Sequence, residues 1–365
     1  MNEYPVPGKR RTYLDVLKGL GMICVVAGHI SEYHRGTLPQ INAMFECIYL
    51  FHMALFCIAS GLVAKWNPWK VISQQTWVFC LCQLGMTWFR INVLQEEWMP
   101  STWLEVFLPW RHMWYLYALI LWSVTLPILR TARLYLPVWY RLPLFGVVFF
   151  IGLLSGRYEW PYALNRVLAF FPFFAFGVLF SDWMDRWNAL AARHGLLRLL
   201  LAGILAIPYV RAFSNVVKLP EPVYEGARIF QDVSYLAGGY TAADRAAFYL
   251  IGIGTVVLLI GILSDYSPLA ELGRRTMPIY ILHMPLYAWM IQLGCYKLVA
   301  EQGKAAVVVW LVFLTVSALC GLSCYPLYRA FSILSNIWYK IILGCLKKLF
   351  RMAKECYGRL RNNRL

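Results

Sequence analysis

The sequence predicts an all-α fold: a polytopic integral-membrane helical bundle of about ten transmembrane helices, N-in and C-in. Three observations carry this. Of 365 residues, 60% are hydrophobic and only 14% charged, against about 25% charged in a typical soluble domain. The apolar residues fall in runs of roughly 17–25, the length a helix needs to cross ~30 Å of hydrocarbon. The 34 Lys and Arg outnumber the 18 Asp and Glu, and with the N-terminus inside 22 of the 34 fall on the inner side, nine of them in the tail from Arg329 onward. Such a composition excludes an ordinary soluble enzyme, a disordered chain and a disulfide-stapled secreted domain.

In chain order, the apolar runs cover 13–33, 43–64, 71–91, 113–129, 138–156, 164–181, 196–210, 246–263, 276–294 and 305–325. The fifth is short, because its charge-free core reaches only from Pro143 to Ser155. The seventh is expected to stop at Pro208, since an interior proline costs a backbone hydrogen bond. No internal repeat stands out, and no intervening segment is long enough to form a soluble domain. Met1 to Arg11 is polar, and no small-residue cleavage site follows the first apolar run, so no signal peptide is expected. No paired broken helices or inverted repeats of the transporter kind are visible.

With the N-terminus inside, the inner segments hold most of the basic residues and the outer side is close to neutral. Two parts are expected: a membrane domain over residues 1–330 and a basic amphipathic tail over 331–365. The tail carries Lys340, Lys347, Lys348, Arg351, Lys354, Arg359, Arg361 and Arg364, with Trp338, Tyr339, Ile341, Ile342, Leu343 and Leu346 interleaved at its start. That pattern belongs to a helix lying on the anionic inner leaflet. A nucleic-acid partner is not expected, since the tail is short and tethered to a membrane. Cys24, Cys57, Cys80, Cys82, Cys320 and Cys324 fall in apolar helices, where a thiol behaves as a small hydrophobe. They offer no metal-ligand spacing, and no metal is expected.

Ionisable groups inside spans are costly and therefore candidates for function. In the first run Lys18 and His29 are eleven residues apart, so they lie within about 20° on a helix and about 16 Å apart along its axis. Asp15 shares their stripe. The spacing fits a cation near the inner face with an imidazole deeper in the membrane. It fits equally well boundary groups that snorkel to water. His52 falls mid-way along the second run, with Glu46 before it and Ser60-Gly61 after it. His112 opens the fourth and His283 lies in the ninth. One such histidine is usually a structural hydrogen-bonder, whereas several together indicate a shared polar cavity with proton or acyl chemistry. Gln83, Thr87 and Arg90 on the third run either line that cavity or cement helix contacts. The long outer segment from Arg211 to Arg245, with Tyr224, Asp232, Tyr235 and Tyr240, suits a sugar-binding surface or a plain solvated loop. Trp103, Trp110, Trp114 and Trp160 are vestibule residues or interfacial anchors.

These residues bear a resemblance. Leu14-Asp15-x-x-Lys18-Gly19 followed by His29 is similar to the first-helix signature of the membrane acyltransferase 3 family, bacterial O-acyltransferases that modify surface and secreted glycans. Phe51-His52-Met53-x-Leu55-Phe56-x-x-Ser60-Gly61, His112-x-Trp114-Tyr115-Leu116 and Ile279-Tyr280-x-x-His283 resemble later motifs in order. The resemblance runs from about residue 10 to 325. The basic residue is Lys18, where many members have Arg, a feature similar to a fucose-acetylase-like subgroup. Ala54 stands where Pro is common. Lysine is a point charge and lacks arginine's bidentate grip on phosphate.

The resemblance implies transfer of an acetyl or other acyl group from cytoplasmic acetyl-CoA to a sugar hydroxyl of a glycan or lipid-linked sugar, in the bacterial inner membrane. It implies His29 as base, with Lys18 and Asp15 completing the catalytic stripe. Lys18, His52 and Ser60 would face the donor. His112, Trp114, Tyr115, His283, Arg90 and Glu46 would face the acceptor. An acyl-histidine intermediate and direct transfer are both left open. The competing expectation is a proton-coupled transporter or flippase for a lipid-linked substrate, with the same stripe relaying protons.

Overall fold

The computed structural model describes residues 11–33, 39–71, 75–97, 103–218, 234–263, 267–294, 297, 321 and 325–362. Among them every regular element is helical. The principal helices are α1 (Thr12–Tyr33), α2 (Pro39–Tyr49), α3 (His52–Val63), α4 (Thr76–Asn92), α5 (Trp114–Ser123), α6 (Leu126–Tyr135), α7 (Val138–Ser155), α8 (Leu164–Leu179), α9 (Ser181–Arg193), α10 (Gly195–Val216), α11 (Ala242–Ile262), α12 (Ser267–Arg274), α13 (Thr276–Gln292) and α14 (Tyr325–Asn362).

Five helical stretches are long and apolar enough to cross a membrane: Thr12–Glu32, Pro39–Val63, Val138–Ser155, Gly195–Val216 and Ala242–Ile262. The number rises to seven if two bent pairs each count as one span, α5 with α6 (60°) and α8 with α9 (69°). The expected spans therefore map onto helices less simply than ten uniform crossings. The third and ninth correspond to α4 and α13, each of 17 residues, or about 26 Å of helix against ~30 Å of hydrocarbon. The fourth and sixth break where α5 and α8 bend. The seventh does not stop at Pro208, because α10 runs through it to Val216. Proline is tolerated inside membrane helices because neighbouring groups satisfy the freed carbonyl, and Pro143, Pro172 and Pro285 sit inside α7, α8 and α13 in the same way. The tenth expected span, apart from residues 321 and 325, lies outside the described residues. The two bends are also broken helices that the apolar pattern alone does not reveal.

Two glycine contacts set the framework. A Cβ on Gly19 of α1 would lie 2.1 Å from the Leu269 carbonyl oxygen of α12, and one on Gly273 would lie 1.7 Å from the Asp15 oxygen. Likewise a Cβ on Gly61 would meet the Phe174 oxygen at 2.2 Å, and one on Gly177 the Ile58 oxygen at 2.3 Å. Between apolar helices in lipid, association depends on close packing rather than on expelling water, so small residues at the crossing let backbones touch. α1 is thus pressed on α12, and α3 on α8. By contrast α10 is lipid-facing in character, with Leu196, Leu199, Leu200, Ile204, Ile207 and Val210 all exposed.

Charge gathers at one end of this bundle. Arg11 pairs with Asp185 at 2.7 Å, Lys18 with Asp15 at 2.8 Å, and Arg141 with Asp182 at 2.8 Å. Arg274 approaches Asp15 at 3.8 Å. Arg275 pairs with Glu271 and lies over the ring of Tyr325, the first residue of α14. The start of α1 and the start of α14 therefore share an end. α14 continues unbroken across residue 331, with Trp338 6.2 Å from Trp77 near the start of α4.

Candidate functional site

Four of the six histidines converge beyond the other end of the Lys18–His29 stripe. The rings of His29 and His283 are 5.3 Å apart, and those of His112 and His283 are 5.0 Å apart. His52 joins through Tyr49, at 4.6 Å from its ring. They come from α1, α3, the turn Arg111–Met113 before α5, and α13. A cavity of about 120 Å³ opens beside them, lined by three of the four, His29, His52 and His112, together with Trp114 and Met284; His283 packs against His29 and His112 without lining it.

Each histidine is held differently. The span containing residues 39–63 breaks at Leu50 and Phe51, so His52 is the first residue of α3 rather than mid-helix. Its Nδ1 lies 2.9 Å from the Ile48 oxygen, which also accepts from the Phe51 N–H. Nδ1 must carry the proton to donate to a carbonyl, which leaves Nε2 as an acceptor in the neutral ring. His283 is fixed likewise, with Nδ1 2.9 Å from the Ile279 oxygen and 2.8 Å from the Tyr280 oxygen. Its Nε2 is buried without a hydrogen-bond partner among the described residues. Both ring nitrogens of His112 are in that state, while the Tyr280 hydroxyl donates to the His112 backbone carbonyl and fixes its position. His52, His112 and His283 are 2%, 4% and 3% exposed, so their open nitrogens face the interior. In its neutral form His112 has one N–H to give and one lone pair to receive.

His29 is the partly exposed member. Its Nδ1 lies 3.4 Å from Oε2 of Glu32, and the Tyr49 hydroxyl lies 3.4 Å from both. With the carboxylate accepting from Nδ1–H, Nε2 keeps its lone pair for a substrate proton, the logic by which a carboxylate orients a catalytic imidazole.

The other expected site residues sit as follows. Lys18 and Asp15 form their ion pair at the basic end and do not line the cavity. α1 is continuous, so about 16 Å of helix separates Lys18 from His29. Trp114 lines the cavity. The Tyr115 hydroxyl bonds Ser60 Oγ at 2.6 Å and donates to the Phe56 carbonyl at 3.0 Å, so Ser60 and Tyr115 tie α3 to α5. Arg90 pairs with Glu96 at 2.6 Å and lies over Trp110. Gln83 receives the Trp110 N–H and donates to the Leu108 carbonyl, so it clamps the segment before His112. Glu46 is buried in α2, outside the cavity lining. The Arg245 guanidinium lies 5.2 and 5.4 Å from the ring centroids of Tyr235 and Tyr240, which meet edge to face; Tyr224 and Asp232 lie outside the described residues.

Four polar lining residues escape the motif reading, Glu32, Tyr49, Arg111 and Arg166, as do the apolar Phe170 and Met284. Glu32 leaves a signal in the sequence, His29-x-x-Glu32, a spacing that stacks both side chains on one helical face. Arg111 adjoins His112 and has a backbone φ of 43°. A non-glycine residue in the left-handed region costs on the order of 1–3 kcal/mol, and such strain collects at functional sites. Tyr49 and Arg166 have no distinguishing pattern.

Compared with known families, the chain matches a model described as "Acyltransferase domain" over residues 11–329, which takes in every cavity residue. The comparison with curated proteins finds no match, and the comparison with solved structures finds none.

Proposed function

Because the chain belongs to the acyltransferase 3 family, we propose that it moves an acetyl group from acetyl-CoA to a sugar hydroxyl of a surface or secreted glycan, or of its lipid-linked precursor. The observation that carries this reading is His29, held by Glu32 and Tyr49 at the wall of a cavity that His52 and His112 also line. His29 Nε2 takes the proton of the acceptor hydroxyl. The hydroxyl oxygen forms the new C–O bond at the thioester carbon, the C–S bond breaks, and the thiolate leaves to be protonated. The developing oxyanion needs a donor. Of the three buried imidazoles, His52 and His283 have spent their N–H groups on carbonyls, so the role falls to His112. Acceptor hydroxyls are received by Nε2 of His52, which lines the cavity.

Lys18 fits the donor's phosphates by charge. It stands at the basic end, and about 16 Å of helix separates it from His29, a span comparable to an extended pantetheine arm. We place that end in the cytoplasm of a bacterial inner membrane, with both termini inside, because cations concentrate there. The test is acetyl transfer by the purified protein in lipid nanodiscs without an ion gradient. Transfer abolished by His29→Ala supports the reading, and undiminished transfer by that variant defeats it.

The two bent helix pairs favour a second reading, a transporter or flippase, since broken helices line the binding sites of many carriers. On that reading the protein moves substrate only when a gradient is imposed and releases no CoA.

A further inference from the structure

The chemistry at His29 makes no use of α14. Its 38 residues run unbroken from Tyr325 to Asn362, about 57 Å of helix. It is not among the helical stretches apolar enough to cross a bilayer. Two contacts fix how its first part lies. Tyr325 sits under the guanidinium of Arg275, whose neighbour Arg274 approaches Asp15 at the basic end. Trp338 meets Trp77 near the start of α4. The opposite end of α4 carries Arg90, which lies over Trp110 on the cavity side, so Trp77 also belongs to the basic end. These two contacts are about 20 Å apart along α14, yet both lie at one end of the bundle. α14 therefore runs across that end, as a membrane surface does, and not along the bundle axis.

Its two faces differ. Arg329, Lys340, Lys347 and Arg351 are exposed and share about 40° of helical arc. Leu334, Trp338, Ile341, Leu349 and Met352 are exposed as well and share about 80° of arc, centred roughly 140° from the cations. Trp338, within that apolar arc, is the residue that touches Trp77, so the apolar stripe turns to the side on which the membrane helices lie. We propose that α14 is a docking surface for anionic phospholipid. The stripe enters the acyl boundary of the leaflet at the basic end, and the cations, with exposed Lys348 on their flank, hold negatively charged headgroups. Buried apolar area together with attraction to anionic lipid is what binds a helix of this kind, and a row of Lys and Arg beside a membrane responds to the leaflet's negative surface potential. An apolar stripe alone would equally suit a second copy of the chain; the cation row makes an anionic surface the fitting occupant. The inference stands apart from the acyltransferase reading.

The experiment reads hydrogen–deuterium exchange over residues 339–362 of the full chain, in nanodiscs of phosphatidylcholine alone and in nanodiscs with added phosphatidylglycerol. Exchange should be at least tenfold slower in the anionic discs, and the difference should collapse at high salt, which screens exposed charges. A variant combining Lys340→Gln, Lys347→Gln, Lys348→Gln and Arg351→Gln should exchange in anionic discs as fast as the wild type does in neutral ones. Leu349→Ser with Met352→Ser should exchange fast in both. A melting temperature in detergent equal to that of the wild type shows that each variant keeps its bundle, and the salt series on the wild type decides the question without any variant. Equal exchange in the two lipids overturns the proposal, as does protection that survives high salt or the fourfold charge variant. Protection confined to discs that hold two copies overturns it in favour of self-association. None of these outcomes depends on acetyl transfer, so this proposal and the acyltransferase reading fail separately.

Discussion

Nδ1 of His29 lies 3.4 Å from Oε2 of Glu32, one helical turn further along α1, and the Tyr49 hydroxyl bridges the two. An imidazole so placed has its ring orientation and tautomer decided before any substrate arrives. Replacing Glu32 by Gln keeps the shape and removes the charge, so the preferred acceptor of the Nδ1 proton weakens. Glu32→Gln should lower kcat about tenfold or more, equivalent to ~1.4 kcal/mol in the barrier, with little change in the KM for acyl-CoA. An equal rise in that KM would assign Glu32 to donor binding instead.

Removing the proposed base itself should be more severe. General-base catalysis contributes about 10²–10⁴-fold, so His29→Ala should lose activity on that scale while the protein still inserts and elutes as a folded species. His29→Gln, which can hydrogen-bond but cannot shuttle a proton near neutrality, should be no better than the alanine variant.

His112 is assigned a different task, and its variants should behave differently. Loss of one oxyanion donor typically costs about 10²–10³ in kcat. His112→Ala should show that loss with acceptor KM nearly unchanged. His112→Asn, which retains an N–H, should recover part of it. If His112→Ala raised acceptor KM and spared kcat, the ring would be an acceptor-binding group.

Lys18 sits about 16 Å from the chemistry, so its replacement should act on affinity. Lys18→Gln should raise the KM for acetyl-CoA about tenfold and leave the turnover of bound donor largely intact, with dephospho-CoA thioesters less affected. Comparable losses for both donors would remove the phosphate contact from the assignment.

The glycine crossings predict a purely structural effect. Gly177→Val places carbon atoms where the Ile58 carbonyl stands 2.3 Å from even a Cβ, and overpacking of this kind costs about 1–3 kcal/mol. The melting temperature in detergent should fall by several degrees. Gly254→Ala, with open space around it, should leave the melting temperature unchanged or slightly raise it, because alanine is favoured over glycine in a helix by about 1 kcal/mol.

Hydropathy made the helical class and the position of most helices readable, because the length of an apolar run is what the bilayer itself selects. It did not reveal the bends. The turn at Leu50 and Phe51 that delivers His52, and the 69° angle after α8, leave no mark in hydropathy, since an apolar run looks the same whether straight or broken; the 60° angle after α5 coincides with Pro127 at the start of α6. The histidines were legible because each is an exception in an apolar context. Ser60, Tyr115 and Arg90 looked like members of the same constellation, yet the structure gives them neighbours outside the cavity. Proximity in a motif does not say which side of a helix a hydroxyl faces, or what already holds it. Arg166 was invisible for the opposite reason: one arginine near the start of an apolar helix is the commonest of boundary residues.

Backbone-to-backbone contact along Gly19 and Gly273 makes α1 and α12 a single rigid strut. The interval between the cation at one end and the imidazole at the other then works as a measuring rod, set by the rise of a helix rather than by flexible side chains. On the proposed reading donors would be sorted by reach: a thioester on a long arm anchored at Lys18 would deliver its carbonyl to His29, whereas acetyl phosphate, without an arm, would have nothing to carry it there.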